Sequence, residues 1–197
     1  MLILTPAVAD RPQDTHAALA LAPAVFHSPV LFSGRVATLS QLRRGTPANP
    51  WECAWLVWNY TDDEHFYYLA LKPGGWELGK RDPAYPGGQR FVATGSLASP
   101  VGLWRSFQIK QKGDEIAIAI DGRRLVSFED IVPPIYKSGR LGLYTEDARV
   151  ALDDVTQPLA ENFDDMPRQT TAQDGTTLGG WSLPFLGFGT ASIAPRP

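Results

Sequence analysis

The sequence predicts an all-β fold, a two-sheet antiparallel sandwich, and three observations carry that expectation. Eighteen Gly and 17 Pro stand beside six Trp, six Tyr and nine Phe in 197 residues, the composition of short aromatic strands broken by many turns. From Phe26 onward, runs of Val, Ile, Leu and aromatics are interrupted roughly every 8 to 12 residues by Gly, Pro, Asn or Asp, the spacing of a sandwich or barrel. Ile116, Ile118 and Ile120 alternate onto one face and run into Asp121-Gly122, which can supply the two positive-φ residues of a type I′ hairpin turn.

Bulk properties narrow the partners. The 44% hydrophobic and 20% charged content suits a packed globular chain rather than a disordered or membrane-inserted one, and no stretch approaches the ~20 apolar residues of a membrane helix. Eighteen basic against 21 acidic side chains, net charge -3, argue against a nucleic-acid partner. Cys53 stands alone, so neither an intrachain disulfide nor a thiolate zinc site is available. The start, Met1-Leu-Ile-Leu-Thr-Pro, lacks a basic n-region and a full apolar h-region; a cytoplasmic protein and a fragment of an exported one both fit.

Along the chain, residues 1–25 are read as a leader, either flexible or carrying a two-turn helix over 15–22 between Pro12 and Pro23. Residues 26–157 hold the sandwich, with strands expected at 29–39, 53–60, 65–72, 75–80, 89–94, 104–111, 115–120, 123–128, 139–145 and 148–155. Pro73-Gly74-Gly75 should reverse the chain between the third and fourth of these. Ala54-Trp55-Leu56-Val57-Trp58 is apolar without alternation, as expected of a central strand covered on both faces or lining an aromatic groove. Residues 158–197 are expected to dock on the same sandwich.

The series from Trp104 to Val155, with Asp121-Gly122, Leu125-Val126-Ser127-Phe128, Gly139-Arg140-Leu141-Gly142-Leu143-Tyr144 and Val150-Ala151-Leu152-Asp153-Asp154, is similar to the C-terminal half of concanavalin A-like lectin/glucanase jelly rolls. Laminin-G-like and family 16 glycoside hydrolase-like domains share that order. The resemblance implies a concave sheet that takes glycans and, often, a structural calcium. Phe163-Asp164-Asp165 and Gly180-Trp181 look like that family's opening strands but stand at the end, so the strand order reads as permuted, the C-terminal segment supplying the first strands. The Glu-x-Asp-x-x-Glu arrangement of the family's glucanases is absent.

Carbohydrate recognition is therefore expected, with an oligosaccharide or polysaccharide as partner; the alternatives are a polysaccharide hydrolase or lyase on the same fold and a purely structural domain. Rings stack on the apolar faces of sugars while polar neighbours bond the hydroxyls, which points to Trp58, Trp76, Tyr67, Tyr68, Glu77 and Arg90 as ligand-binding residues. Glu52, His65 and Lys72 are the catalytic candidates, the Tyr-plus-Lys strand ending at Lys72 being loosely similar to jelly-roll lyases. No cofactor is required. A structural calcium would be held by Asp153 or Asp154 with Asp164 or Asp165, since these pairs meet if the tail docks as an edge strand. The assembly expected is a monomer or a tail-swapped dimer.

Overall fold

Period-two alternation decides which residues of each strand enter the space between the sheets. The structure, a computed structural model, describes residues 1–157 and 163–195. In chain order the strands are β1 (Leu2–Thr5), β2 (Ala17–Leu21), β3 (Phe26–His27), β4 (Val30–Gln41), β5 (Ala54–Asp62), β6 (His65–Lys72), β7 (Gly75–Arg81), β8 (Gln89–Gly95) and β9 (Arg105–Lys112). They continue as β10 (Glu115–Ile120), β11 (Arg123–Glu129), β12 (Ser138–Glu146), β13 (Ala148–Gln157), β14 (Gln169–Thr171), β15 (Thr176–Leu178), β16 (Trp181–Phe185) and β17 (Thr190–Ile193). Strands β4 to β13 are the ten expected from the sequence, each within two residues at either end. The described residues contain one short 3-10 turn, Pro86–Gly88, and no α-helix.

Two antiparallel sheets result. One runs β11-β10-β9-β4-β13-β1-β17-β14, the other β15-β16-β2-β12-β5-β6-β7-β8, with β3 paired to β12 at its margin. Between them lies the main core: Phe32, Val36, Phe107, Ile109 and the three isoleucines of β10 from one sheet, Leu56, Trp58, Tyr67, Leu69, Leu78, Leu141 and Leu143 from the other. The Trp58 indole donates to the Gln111 amide oxygen at 2.7 Å, so a buried hydrogen bond joins the two layers.

The N-terminal expectation is corrected. Residues 17–21 form strand β2, not a helix, and pair with β12 on one side and β16 on the other. Alanine favours helices, but Ala-Ala-Leu-Ala-Leu alternates with period two: Ala18 and Ala20 face the main core, Leu19 and Leu21 the opposite side of the sheet. Burial on both faces overrides the intrinsic preference. Strand β1 lies between β13 and β17, so residues 1–25 are not a loose leader.

Within the C-terminal segment, β16 extends the second sheet beside β2 and β17 extends the first beside β1. Phe163 and Trp181 are buried against each other, ring centroids 6.0 Å apart. Residues 158–162, which include Glu161 and Asn162, and residues 196–197 lie outside the described residues. Ending the chain at Gln157 would strip Phe163, Trp181, Leu183, Leu186, Ala191 and Ile193 from the core. At ~1.5–3 kcal/mol per large buried side chain, that loss is as large as the whole ~5–15 kcal/mol stability of a typical domain. The truncated protein should show no cooperative melt in calorimetry.

Candidate functional site

The second sheet is apolar on its outer face as well, and there the rings line up. Strand pairing places Phe185, Leu19, Tyr144, Trp55, Ala70 and Glu77 in one row across β16, β2, β12, β5, β6 and β7. The next row runs through Leu21, Gly142, Val57, Tyr68, Gly79 and Phe91. Trp55 packs on Tyr68 with centroids 4.8 Å apart and meets Tyr144 edge-on at 5.4 Å; Tyr144 meets Phe185 at 6.4 Å. Tyr68 lies flat across Gly79, where a Cβ would stand 2.3 Å from its hydroxyl oxygen. The glycine is what lets that ring bridge two strands.

Tyr60 reaches this face through a bulge. Strict alternation from Trp55 and Val57 would send residue 59 outward, but Asn59 takes φ 51°, the pairing slips between Arg140 and Gly142, and parity reverses. The Asn59 amide then points inward, donating to Gln111 Oε1 at 3.1 Å and to the Tyr136 carbonyl at 2.8 Å. Tyr60 turns outward and packs on Phe66 at 5.4 Å.

Together these residues enclose a cavity of ≈ 260 Å³ lined by Trp55, Tyr60, Phe66, Tyr144 and Phe185, with Asp63, Arg81, Gln89 and Glu146 as its polar groups. The Gln89 amide donates to the Tyr68 hydroxyl at 2.6 Å, and that hydroxyl donates to Glu77 at 2.8 Å. Tyr60 donates to Asp63 at 2.5 Å and Tyr144 to Glu146 at 2.6 Å. Burial, with Asp147 and Glu52 nearby, pushes the Glu146 carboxyl above the ordinary carboxylate range, against the opposing pull of the Tyr144 hydroxyl and Arg81. Burial likewise pushes the Tyr68 and Tyr144 hydroxyls up, so both remain donors at neutral pH. Such a site can stack a ring and bond its substituents.

The residues expected from the sequence divide between two faces. Tyr68 and Glu77 stand on the outer face, in the layer beneath the cavity rather than on its wall. Trp58, Trp76 and Tyr67 belong to the main core, a correction forced by parity: each pairs in register with another inward residue, and Trp58 stacks on Tyr67 at 5.5 Å. Arg90 is also on the inner side, where it and Lys80 hold the buried Asp130 at 2.9 and 2.7 Å while the Tyr67 hydroxyl donates to the same carboxylate at 2.6 Å. That cluster fastens the loop after β11 to the sheet.

The three catalytic candidates do not converge. Glu52 is fully buried, accepting from Arg43 at 2.5 Å and Asn49 at 2.8 Å. His65 pairs with Asp62 at the turn that opens β6, whereas Lys72 closes the same strand and pairs with Glu77; at ~3.4 Å per residue the two are roughly 24 Å apart. The candidate calcium ligands are Asp153, Asp154, Asp164 and Asp165. Asp153 is buried, 3.6 Å from the Met1 amino group, Asp154 faces Arg35 at 3.7 Å, and Asp164 and Asp165 are exposed on the turn after residue 162. Among the described residues, no three His, Cys, Asp or Glu side chains stand together to hold an ion.

Sequence reasoning did not assign Tyr144, Glu146, Arg81, Gln89 or Phe185 to a site. Alternation carried part of the signal, since Trp55 and Trp58 fall on opposite faces of β5, but nothing local says which face is outward or that Tyr144 joins the Trp55 side. Gly139 guards the bulge: its φ is +152° and a Cβ there would stand 2.2 Å from the Asn59 carbonyl carbon. Gly139→Ala should lower stability by about 1–3 kcal/mol, the usual range for overpacking, and alter the environment of Tyr60. Thermal melts and near-ultraviolet circular dichroism would check both.

By sequence alone the chain matches no protein-family profile and no curated protein. By structure it is similar to the carbohydrate-binding module CBM66 from Bacillus subtilis, at 15% identity and TM-score 0.58, over 78% of this chain and 91% of that one. Sheep galectin-11 aligns at 13% identity and TM-score 0.44 over 66% of this chain and 93% of its own. A heptameric pentraxin from Limulus polyphemus aligns at 11% and 0.44, over 77% and 74%. The fold of this chain is the concanavalin A-like jelly-roll sandwich.

Proposed function

We propose that the protein is a non-catalytic carbohydrate-recognition module and that the cavity on the outer face of the second sheet holds the glycan. One observation carries this reading: a row of rings, Phe185, Tyr144 and Trp55, is bordered by Arg81, Gln89, Glu146 and Asp63, which offers apolar surface and directional bonds within one ≈ 260 Å³ space. The apolar face of a sugar can lie on the rings while its hydroxyls meet the guanidinium, amide and carboxylates. The similar fold of CBM66, a carbohydrate-binding module by name, supports the same class of ligand. The dispersal of Glu52, His65 and Lys72 favours binding over cleavage.

A glycan array should identify the ligand, and each hit should then be incubated with the protein. Release of reducing ends, or absorbance of an unsaturated uronate, would overturn the non-catalytic reading. Trp55→Ala should weaken binding about tenfold in calorimetry, since an aromatic contact worth ~0.5–1.5 kcal/mol beyond its area approaches the ~1.4 kcal/mol of one decade. Trp58→Ala should instead unfold the protein.

The Glu146 carboxyl gives a pH signature. Ionised, it accepts bonds from sugar hydroxyls; protonated, it is a poorer acceptor. With its pKa raised above 4.5 by burial, affinity should fall as pH drops, and the midpoint should lie above 4.5. Glu146→Gln should remove this dependence. The stability effect has the opposite sign: a raised carboxylate pKa means the folded state holds more protons, so its contribution declines as pH rises from 4.5 through the folded value. Light scattering should show a monomer, because β16 and β17 complete the sheets of their own chain.

A further inference from the structure

We propose a second binding site on the outer face of the first sheet: a groove along β10 that takes a linear acidic polysaccharide, bearing carboxylate or sulfate groups. It does not depend on the cavity described above. The groove has a floor of small residues and walls of long ones. Ala117 and Ala119 of β10 form the floor; Gln108 and Lys110 of β9 stand directly opposite on one side, Arg124 and Ser127 of β11 on the other. Three adjoining depressions trace this line: the first and second share Lys110 and Ala117, the second and third share Arg124. Strands ~4.8 Å apart put the walls about 10 Å from one another, and six residues of β10 give a track roughly 20 Å long. That shape admits a chain of several sugar rings rather than one small molecule.

Charge selects the ligand. Arg105 and Asp121, at the far end, pair with each other at 2.5 Å. The remaining cations along the groove, Lys110, Lys112, Arg123 and Arg124, are exposed and make no ion pair among the described residues. The other carboxylates, Glu115 and Glu129, face each other at the Lys112 end, leaving the centre at Lys110 and Arg124 purely basic. A local excess of positive charge on a chain of net charge -3 is a feature of this surface, not of the whole protein. Unpaired Lys and Arg bind carboxylate and sulfate oxygens through charge-assisted hydrogen bonds. Nucleic acid fits less well, because the ring that lines the groove, Phe128, packs against the core and offers no platform for a base.

The test uses the full chain in calorimetry with polygalacturonate, dextran sulfate, neutral dextran and a single-stranded oligothymidylate. Binding to one or both acidic polysaccharides and none to dextran is expected, weakening as salt rises; the tighter of the two identifies the acidic group. The double variant Lys110→Ala, Arg124→Ala should lose at least tenfold in affinity, and Ala117→Leu, which raises the floor, should lose a similar amount. Arg149→Ala, an exposed cation outside the groove, should change it less than twofold, and thermal melts should confirm that all variants fold. The proposal is overturned if no acidic polysaccharide binds, if the groove variants bind like the parent, or if oligothymidylate binds as tightly as the polysaccharides. Loss in Trp55→Ala without loss in the groove variants would place the acidic chain in the other cavity and also overturn it. Loss of the acidic polysaccharide in the groove variants, with its binding kept in Trp55→Ala, would support a groove separate from the cavity.

Discussion

Strand β5 has to bury two faces at once, and most of the architecture follows from that constraint. Its inward residues, Ala54, Leu56 and Trp58, close the core between the sheets, and its outward ones, Trp55, Val57 and Tyr60, pack with Phe66 and Tyr68 of β6 and Tyr144 of β12 on the aromatic outer face. Neither set can move without exposing the other. The bulge at Asn59 is where the strand changes parity, and it is fixed from both sides: inward by the Asn59 amide on the Tyr136 carbonyl, and across the pairing by the close approach of Gly139. One residue of register therefore determines whether Tyr60 reaches the cavity.

Two clusters of polar groups inside the sandwich hold particular elements in place. Gln111 Oε1 accepts from both the Trp58 indole and the Asn59 amide, so the bulge and the inter-sheet contact share one acceptor. Lys80 is fully buried, yet it donates to Asp130, to the Val132 carbonyl at 2.6 Å and to the Pro134 carbonyl at 2.8 Å. A buried charge with these partners is tolerated, whereas removing one partner leaves an uncompensated ion. This explains why Tyr67 and Arg90, polar and close to the cavity in sequence, serve packing instead.

The two outer faces differ in kind. On the second sheet the outward residues are aromatic and nearly enclosed, with Trp55 and Tyr60 only 8% and 9% exposed, and Asp63, Gln89 and Glu146 bond the tyrosine hydroxyls of the same face. On the β9–β11 hairpins of the first sheet the outward residues are alanines flanked by exposed lysine and arginine. The same alternation produced both. What differs is the length of the side chains on each outward row, and so the depth of the surface and the chemistry it can meet.

Sequence by itself determined the strands from residue 30 to 157, because period-two runs and turn residues such as Asp121-Gly122 act locally and do not depend on distant partners. It also narrowed β5 to a strand either covered on both faces or lining an aromatic groove, since Ala54 to Trp58 contains no polar residue to place in water. It misread residues 17–21, where alanine-rich composition suggested a helix and only pairing with β12 and β16 makes a strand. It placed Trp58 and Trp76 on a groove for a similar reason: alternation separates two faces but does not say which one another sheet will cover. That choice belongs to the tertiary structure, which closes the Trp58 side with Gln111 and the isoleucines of β10 and leaves the Trp55 side, with Tyr144 from nearly ninety residues away, to form the cavity.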